Sequence, residues 1–419
     1  MFERRAPPGH GSLPGMTPET RQIVFVNAAH TLTHYSLVIL ATAVLGMVVQ
    51  SPGAFGGDYG PILALGTGMF VLYGLGSLPQ GWLAERFGRV AMVRAFFLGA
   101  GASLLAAGLS DGPAMLAVSL LCLGGFLAIY HPICTAMLVE AAGRRVGRAM
   151  GINGVFGNLG VAVAPVVTAF LVAWVGWRAA FLVPGAIALA LGLLYWREPP
   201  FDTSAGQKAA GPFPTIPRAI VKRAVIVLLS IAAASGLVFN AFTLLLPKLL
   251  EERLAADPGL LPLVGTLAFA ATLCGGLAQF TVGHWIDRAT LRRVFLPLAA
   301  VQAPGLVALA LLDGWVLVPI AGIVAASVFG QVTVNETMTA RYVAPALRAK
   351  LYSVRLTVGF LGAALASPLI GWLHAATGGM TAMLVVLAAF GLVVLACALA
   401  FPDREEELHP ERWALAPAE

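Results

Sequence analysis

Of the chain's 419 residues, 59% are hydrophobic and 11% charged, and the formal net charge is +6. This composition excludes a string of ordinary soluble domains and places most of the chain inside a lipid bilayer. The positive charge does not call for a nucleic-acid partner, because Lys and Arg stand singly in short loops and form no continuous basic face.

Residues 1–20 are rich in Pro and Gly and lack the apolar run of a signal peptide, so a disordered cytoplasmic tail is expected there. Apolar stretches long enough to cross about 30 Å of hydrocarbon at about 1.5 Å per residue then follow one another. The first six run from Ile23 to Val48, Gly60 to Leu83, Val90 to Leu109, Ala114 to Val139, Met150 to Val175 and Ala179 to Tyr195.

In the first stretch Asn27, His30, Thr31 and His34 recur at i, i+3, i+4 and i+7, a polar stripe on an otherwise apolar helix. Counted from Arg21, His30 lies about 13 Å deep and His34 about 20 Å. Ionisable groups at such depth are costly and therefore functional candidates; the alternative is neutral imidazoles hydrogen-bonded between packed helices. After the second stretch comes the turn Gly81-Trp82-Leu83-Ala84-Glu85-Arg86-Phe87-Gly88-Arg89. Gly81 and Gly88 permit a tight connection between antiparallel helices. Glu85, with Arg86 and Arg89 beside it, either forms a latch to a neighbouring Arg or helix end or anchors the loop in water.

In the fourth stretch His131 precedes Glu140 by nine residues, about 13 Å from the same surface and level with His30. Pro132 next to it frees a backbone carbonyl one turn earlier, and Tyr130 is a candidate for the wall of the same site. On the fifth stretch Asn153 and Asn158 either contact a substrate or tie helices together, while Gly154, Gly157 and Gly160 allow close helix approach.

Residues 197–223 are polar, contain Pro and Gly, and read as an exposed cytoplasmic linker. The second six stretches run from Ala224 to Leu249, Leu260 to Ile286, Val294 to Leu312, Val316 to Ala340, Leu351 to His374 and Met380 to Phe401. Asn240 in the seventh is a further candidate for substrate or interhelix hydrogen bonding. After the eighth the turn returns as Gly283-His284-Trp285-Ile286-Asp287-Arg288. In the tenth, Gln331, Asn335 and Glu336 share one face, with Glu336 about 7 Å from Arg341. Glu336 either carries a proton or pairs with Arg355 on the eleventh stretch as part of an inner gate. Residues 402–419 form the second cytoplasmic tail, whose run Asp403-Arg404-Glu405-Glu406-Glu407 reads as a solvated end.

The chain repeats itself. At one constant offset Gly81 maps to Gly283, Glu85 to Asp287, Arg86 to Arg288, Arg148 to Lys350, Gly157 to Gly359 and Gly160 to Gly362. The expected fold is therefore all-α and integral to the membrane, with 12 transmembrane helices in two pseudo-symmetric six-helix bundles, residues 21–196 and 224–401. With both termini cytoplasmic, every basic residue except Arg178, Lys248 and Arg253 faces the cytoplasm. This fixes the expected topology in a bacterial-type inner membrane. Cys122, Cys134, Cys274 and Cys397 all fall in apolar stretches and read as small core residues.

Twelve spans, a central linker and GWLAERFGR echoed by GHWIDR resemble the major facilitator superfamily over essentially the whole chain. His30 together with Ala128–Pro165 is similar to the fosmidomycin-resistance branch. That likeness implies a secondary transporter working by alternating access, with proton-coupled efflux of a small organic solute. It also implies a central cavity lined by the first, fourth, seventh and tenth spans, where the three histidines would converge. Two departures stand out: the branch carries acids where this chain has His34 and Ile133. With so little negative charge, an uncoupled facilitator or an importer of a small anion is the alternative, and a transporter-like sensor or assembly factor a more distant one. No phosphate-binding loop or nucleophile-and-base pair is present, so neither ATP hydrolysis nor enzyme activity is expected. A metal on His30 and His34 is the lesser reading, for want of a thiolate or carboxylate at that depth. The expected partners are a small-molecule substrate, protons and the lipid bilayer, with no cofactor, metal or second copy of the chain.

Overall fold

A computed structural model describes residues 15–142, 146–198, 214–254, 258–409 and 412–413. Most of the N-terminal tail and most of the linker read from the sequence lie outside these residues. Among the described residues twelve helices are long and apolar enough to cross a bilayer. In the first half they are α1 (Pro18–Gln50), α2 (Tyr59–Gly76), α3 (Arg89–Gly108), α4 (Pro113–Ala142), α5 (Ala149–Trp174) and α6 (Trp177–Trp196). In the second they are α7 (Arg218–Leu254), α8 (Leu261–Ile286), α9 (Leu291–Leu311), α10 (Gly314–Tyr342), α11 (Val354–Thr377) and α12 (Thr381–Ala400). The all-α fold with twelve spans is the one the hydrophobic pattern predicted.

Local chemistry sets the helix ends. Thr17 caps α1 by accepting from the Thr20 N–H, and Pro18 occupies the first turn, where its missing N–H leaves no bond unmade. Gly378 stops α11 in the left-handed conformation at φ 76°. Gly88, at φ 83°, turns the chain between a short helix, Gln80–Phe87, and α3.

Three boundaries differ from the sequence reading. The stretch Gly60–Leu83 is not one helix: it breaks after Ala64, breaks again after Gly76, and ends in the short helix. Pro79 has no N–H to offer the Leu75 carbonyl, which accepts from the Leu78 N–H at 3.2 Å in a tighter turn. In α4 the helix widens to π geometry over Tyr130–Cys134, around Pro132, where the ring cannot accept a normal α-helical register. Helix α7 starts at Arg218, inside the segment read as linker.

Glycines bring the helices together in matched fashion. A side chain at Gly160 would meet the Thr31 carbonyl and Tyr35 of α1; one at Gly362 would meet Leu237 of α7. On the side away from the termini the halves touch backbone to backbone, Gly60 of α2 against Gly371 of α11, and the Ser367 hydroxyl donates to the Leu63 carbonyl at 2.6 Å. Cys134 and Cys397 are core residues as read, but Cys122 and Cys274 are exposed on helix faces.

The side of the termini is held by charge. Arg89 pairs with Glu140 across α3 and α4. Arg21 meets Glu198 at 3.3 Å, with both side chains less than one-tenth exposed. At the equivalent place in the second half, Arg223 donates to the Ala400 carbonyl at 2.6 Å. Breaking a buried pair leaves an uncompensated charge, so Glu198→Ala is expected to destabilise the first half by about 3 kcal/mol, visible as a lower thermal midpoint in detergent. The acidic tail is not a solvated end: Glu407 and Trp413 are buried against the second half.

Candidate substrate cavity

Between the halves lies a cavity of about 380 Å³, with walls from α1, α4 and α5 on one side and α7, α8, α10 and α11 on the other. At its rim Met150 and Glu336 are exposed, so it opens toward the side of the termini while the Gly60–Gly371 contact closes the opposite side.

The first-half wall is built around three imidazoles. The ring of His30 stands 4.8 Å from that of His34 and 5.6 Å from that of His131, and His34 and His131 are 5.7 Å apart. Helical spacing brings His30 and His34 to one face of α1, and the widened turn at Tyr130–Cys134 presents His131 to them from α4. His30 Nδ1 lies 2.7 Å from the Asn153 carbonyl. A carbonyl only accepts, so Nδ1 carries the proton and Nε2 is the nitrogen able to gain one. Tyr130 stacks on His30 at 4.6 Å with the rings 19° apart, and donates its hydroxyl to Asn153 Oδ1 at 3.0 Å. Asn153 in turn donates to Asn27 Oδ1 at 2.8 Å. Gly157 makes room for the His30 ring: a Cβ there would sit 2.6 Å from Nε2.

The second-half wall is made of amides. Gln331 donates to Gln302 Oε1 at 3.0 Å and accepts from the Ser235 hydroxyl at 3.1 Å, which ties α10 to α9 and α7. Asn240 donates to the Gly236 carbonyl of its own helix. Asn158 of α5 donates to Gln279 of α8, a hydrogen bond that crosses from one half to the other. Arg355 lies 3.7 Å from Glu336 and donates to the Thr339 hydroxyl at 2.6 Å. Among the described residues these two are the only formally charged ones lining the cavity, and they offset each other.

Among the sequence candidates, His30, His34, His131, Asn153, Asn158, Asn240, Gln331, Asn335 and Glu336 all line this space. Asn27 and Tyr130 do not; both are buried behind the wall and hold Asn153 and His30 in place. Arg355, expected to pair with Glu336 in an inner gate, lines the cavity, and that pair joins α10 to α11 within one half. It cannot by itself gate between halves. In the repeated turns Arg89 has Glu140 as partner, whereas Glu85, Arg86, Asp287 and Arg288 are exposed and make no ion pair among the described residues. Gln279 and Ser235 went unread, because each is a single polar residue in a strongly apolar run. The Asn158–Gln279 bond is also why Asn158→Ala is expected to loosen the contact between α5 and α8 by about 1 kcal/mol, measurable as a lower thermal midpoint.

The donor set bears on a metal. The available nitrogens of His30, His34 and His131 lie within 4.8 Å of one another. A tetrahedral zinc ion with bonds of about 2.0–2.1 Å draws its nitrogens to within roughly 3.4 Å. Among the described residues no carboxylate completes the set, and the cluster is a looser group of imidazoles than such an ion requires.

Two bundles of six helices around a cavity open on one side define an alternating-access architecture. The chain belongs to the Major Facilitator Superfamily, whose sequence profile matches residues 31–264 and 254–417. It is 30% identical over 164 residues to a gallate transporter of Pseudomonas putida, covering 38% of this chain and 36% of that one. It is 31% identical over 157 residues to a probable sulfoacetate transporter of Cupriavidus necator, covering 37% of this chain and 33% of that one. The matched segments thus span about a third of the length of these curated relatives. Among solved structures, a bacterial homolog of the human lysosomal transporter Spinster, inward-facing and unoccupied, superposes with a TM-score of 0.66 at 16% identity over 96% of this chain and 98% of that one. The nucleoside transporter NupG does so with a TM-score of 0.67 at 15% identity over 90% and 99%. At these identities the two structures speak for the fold alone.

Proposed function

We propose that the protein is a secondary transporter that carries a small organic anion by alternating access, with His30, His34 and His131 as its proton-binding group. The observation that carries this reading is the meeting of three imidazoles in a cavity whose only fixed charges among the described residues, Glu336 and Arg355, cancel. A second proton on rings about 5 Å from the first would cost roughly 3 kcal/mol at an effective dielectric of 20. The cluster therefore works with one positive charge at a time, and an anion placed against it is attracted by that charge. The amides of Asn158, Asn240, Gln279 and Asn335 supply neutral hydrogen bonds for the rest of the solute. Gallate and sulfoacetate, named for the two relatives, are both small organic anions.

Proton and anion that strengthen each other's binding travel together, so uptake down an inward proton gradient is the direction this chemistry favours. Proton-coupled efflux, implied by the resemblance of Ala128–Pro165 to exporters, needs proton and substrate to exclude one another. Purified protein in liposomes, acidic outside, is expected to accumulate aromatic carboxylates or sulfonated acids and to ignore organic cations. Transport of cations alone, or accumulation only when the gradient is reversed, would reject the reading.

A further inference from the structure

At one corner the internal repeat loses an ion pair, and the place is filled. At the offset that carries Glu85 to Asp287, Arg89 falls on Leu291 and Glu140 on Tyr342. The first half therefore clamps the start of α3 to the end of α4 with its own ion pair, Arg89–Glu140. The second half has neither charge at the matching positions.

Glu407 occupies the gap. Its carboxylate accepts from the Leu291 N–H at 2.9 Å and from the Tyr342 hydroxyl, the two residues that replace the missing pair. Arg341 stands 3.5 Å away and also donates to the Ile286 carbonyl at 3.1 Å, so the turn after α8 is drawn into the same cluster. The Glu407 side chain is fully shielded from solvent. A buried carboxylate is tolerated only with such partners.

Neighbouring contacts seat the segment on either side. Asp403 accepts from the Thr290 hydroxyl at 2.5 Å, and Arg293 approaches both Asp403 and Glu405, at 3.7 and 3.5 Å. Trp413, 4% exposed, meets Tyr342 edge-on at 5.9 Å within the apolar cluster at the base of the second half.

We propose that the Leu291 N–H, Arg341 and Tyr342 form a carboxylate-binding site on the second half, and that its ligand is the chain's own C-terminal segment, with Glu407 as anchor and Trp413 as apolar plug. The first half holds its α3–α4 corner with residues of the spans themselves. The second holds its α9–α10 corner with a segment that can leave. Whatever displaces the segment loosens one half and spares the other. This inference does not depend on what the protein transports.

Hydrogen–deuterium exchange on the full chain in lipid nanodiscs tests it. In the unaltered protein, amides at 404–409 and at 290–294 are expected to be protected. Glu407→Ala is expected to raise exchange in both segments by about tenfold or more, the cost of losing several hydrogen bonds to a buried charge. Exchange at 88–92 should stay unchanged. Glu407→Gln, which keeps the shape and can still accept, is expected to give a smaller rise. The mirror variant Glu140→Gln should loosen 88–92 and leave 404–409 protected. Exchange at 404–409 already as fast as in an unstructured peptide would overturn the proposal. So would an unaltered 290–294 in Glu407→Ala, or loosening of 88–92 by the same substitution.

Discussion

Replacing His131 with alanine is expected to abolish proton-driven accumulation while leaving the exchange of labelled for unlabelled anion across the membrane. His131 is the member of the cluster to remove, because His30 also holds the Asn153 carbonyl and its loss would disturb α5. Among the described residues His131 makes ring contacts, to His30, His34, Tyr130 and Tyr73. A gradient of one pH unit is worth about 1.4 kcal/mol, or a tenfold concentration ratio. With the coupling group gone, accumulation in liposomes should drop from about tenfold toward unity under that gradient. Counterflow, which needs binding and rocking but no net proton movement, should continue. Accumulation that survives in His131→Ala, and likewise in His34→Ala, would show that the imidazoles are not the coupling group; loss of counterflow together with accumulation would instead place His131 in substrate binding.

Gly371→Leu is expected to move the conformational equilibrium toward the state open on the side away from the termini. A Cβ at Gly371 would lie 2.7 Å from the Gly60 carbonyl oxygen, and one at Gly60 would lie 2.6 Å from that of Gly371. Both neighbours are backbone, so no flexible side chain can swing aside. Overpacking of this kind costs about 1–3 kcal/mol. The penalty is confined to the arrangement in which α2 and α11 touch, and it therefore shifts populations by roughly 5- to 150-fold. Ser367 is buried against Leu63 in the same contact, so a cysteine placed there reports its opening. Ser367→Cys should react with a membrane-impermeant maleimide about fivefold faster or more when combined with Gly371→Leu. Equal reactivity in both backgrounds would mean that this contact does not close the cavity.

The sequence displayed the large features because each leaves a periodic or compositional mark. Twelve apolar runs show in composition, the two halves in a fixed offset, and the His30–His34 stripe in helical spacing. Depth counting placed His131 level with His30, and the three rings do meet. What stayed hidden depends on partners far away in the chain. Gln279 is one amide in an apolar helix, and only the packing of α8 on α5 gives it a role. Asn27 and Tyr130 carry polar groups like any wall residue, yet their partner is Asn153 and they stand behind the wall. Glu407 sits in an acidic run that reads as solvated, and its burial follows from a gap in the repeat that becomes visible only when Leu291 and Tyr342 are found beside it. The end of α2 at Gly76 is signalled by Pro79 but outweighed by the hydrophobicity that runs on to Leu83.

The positions in α7 that match His30 and His34 are Ala232 and Gly236. A Cβ on Gly236 would lie 2.8 Å from the Gly359 Cα, so α7 leans on α11 through bare backbone where α1 makes room for imidazole. A ring could not be restored there without prying the second bundle apart. Duplication supplied two like copies, and at this seam they have parted: the imidazoles stand on the wall of the first, and the matching turn of the second has closed on its neighbour.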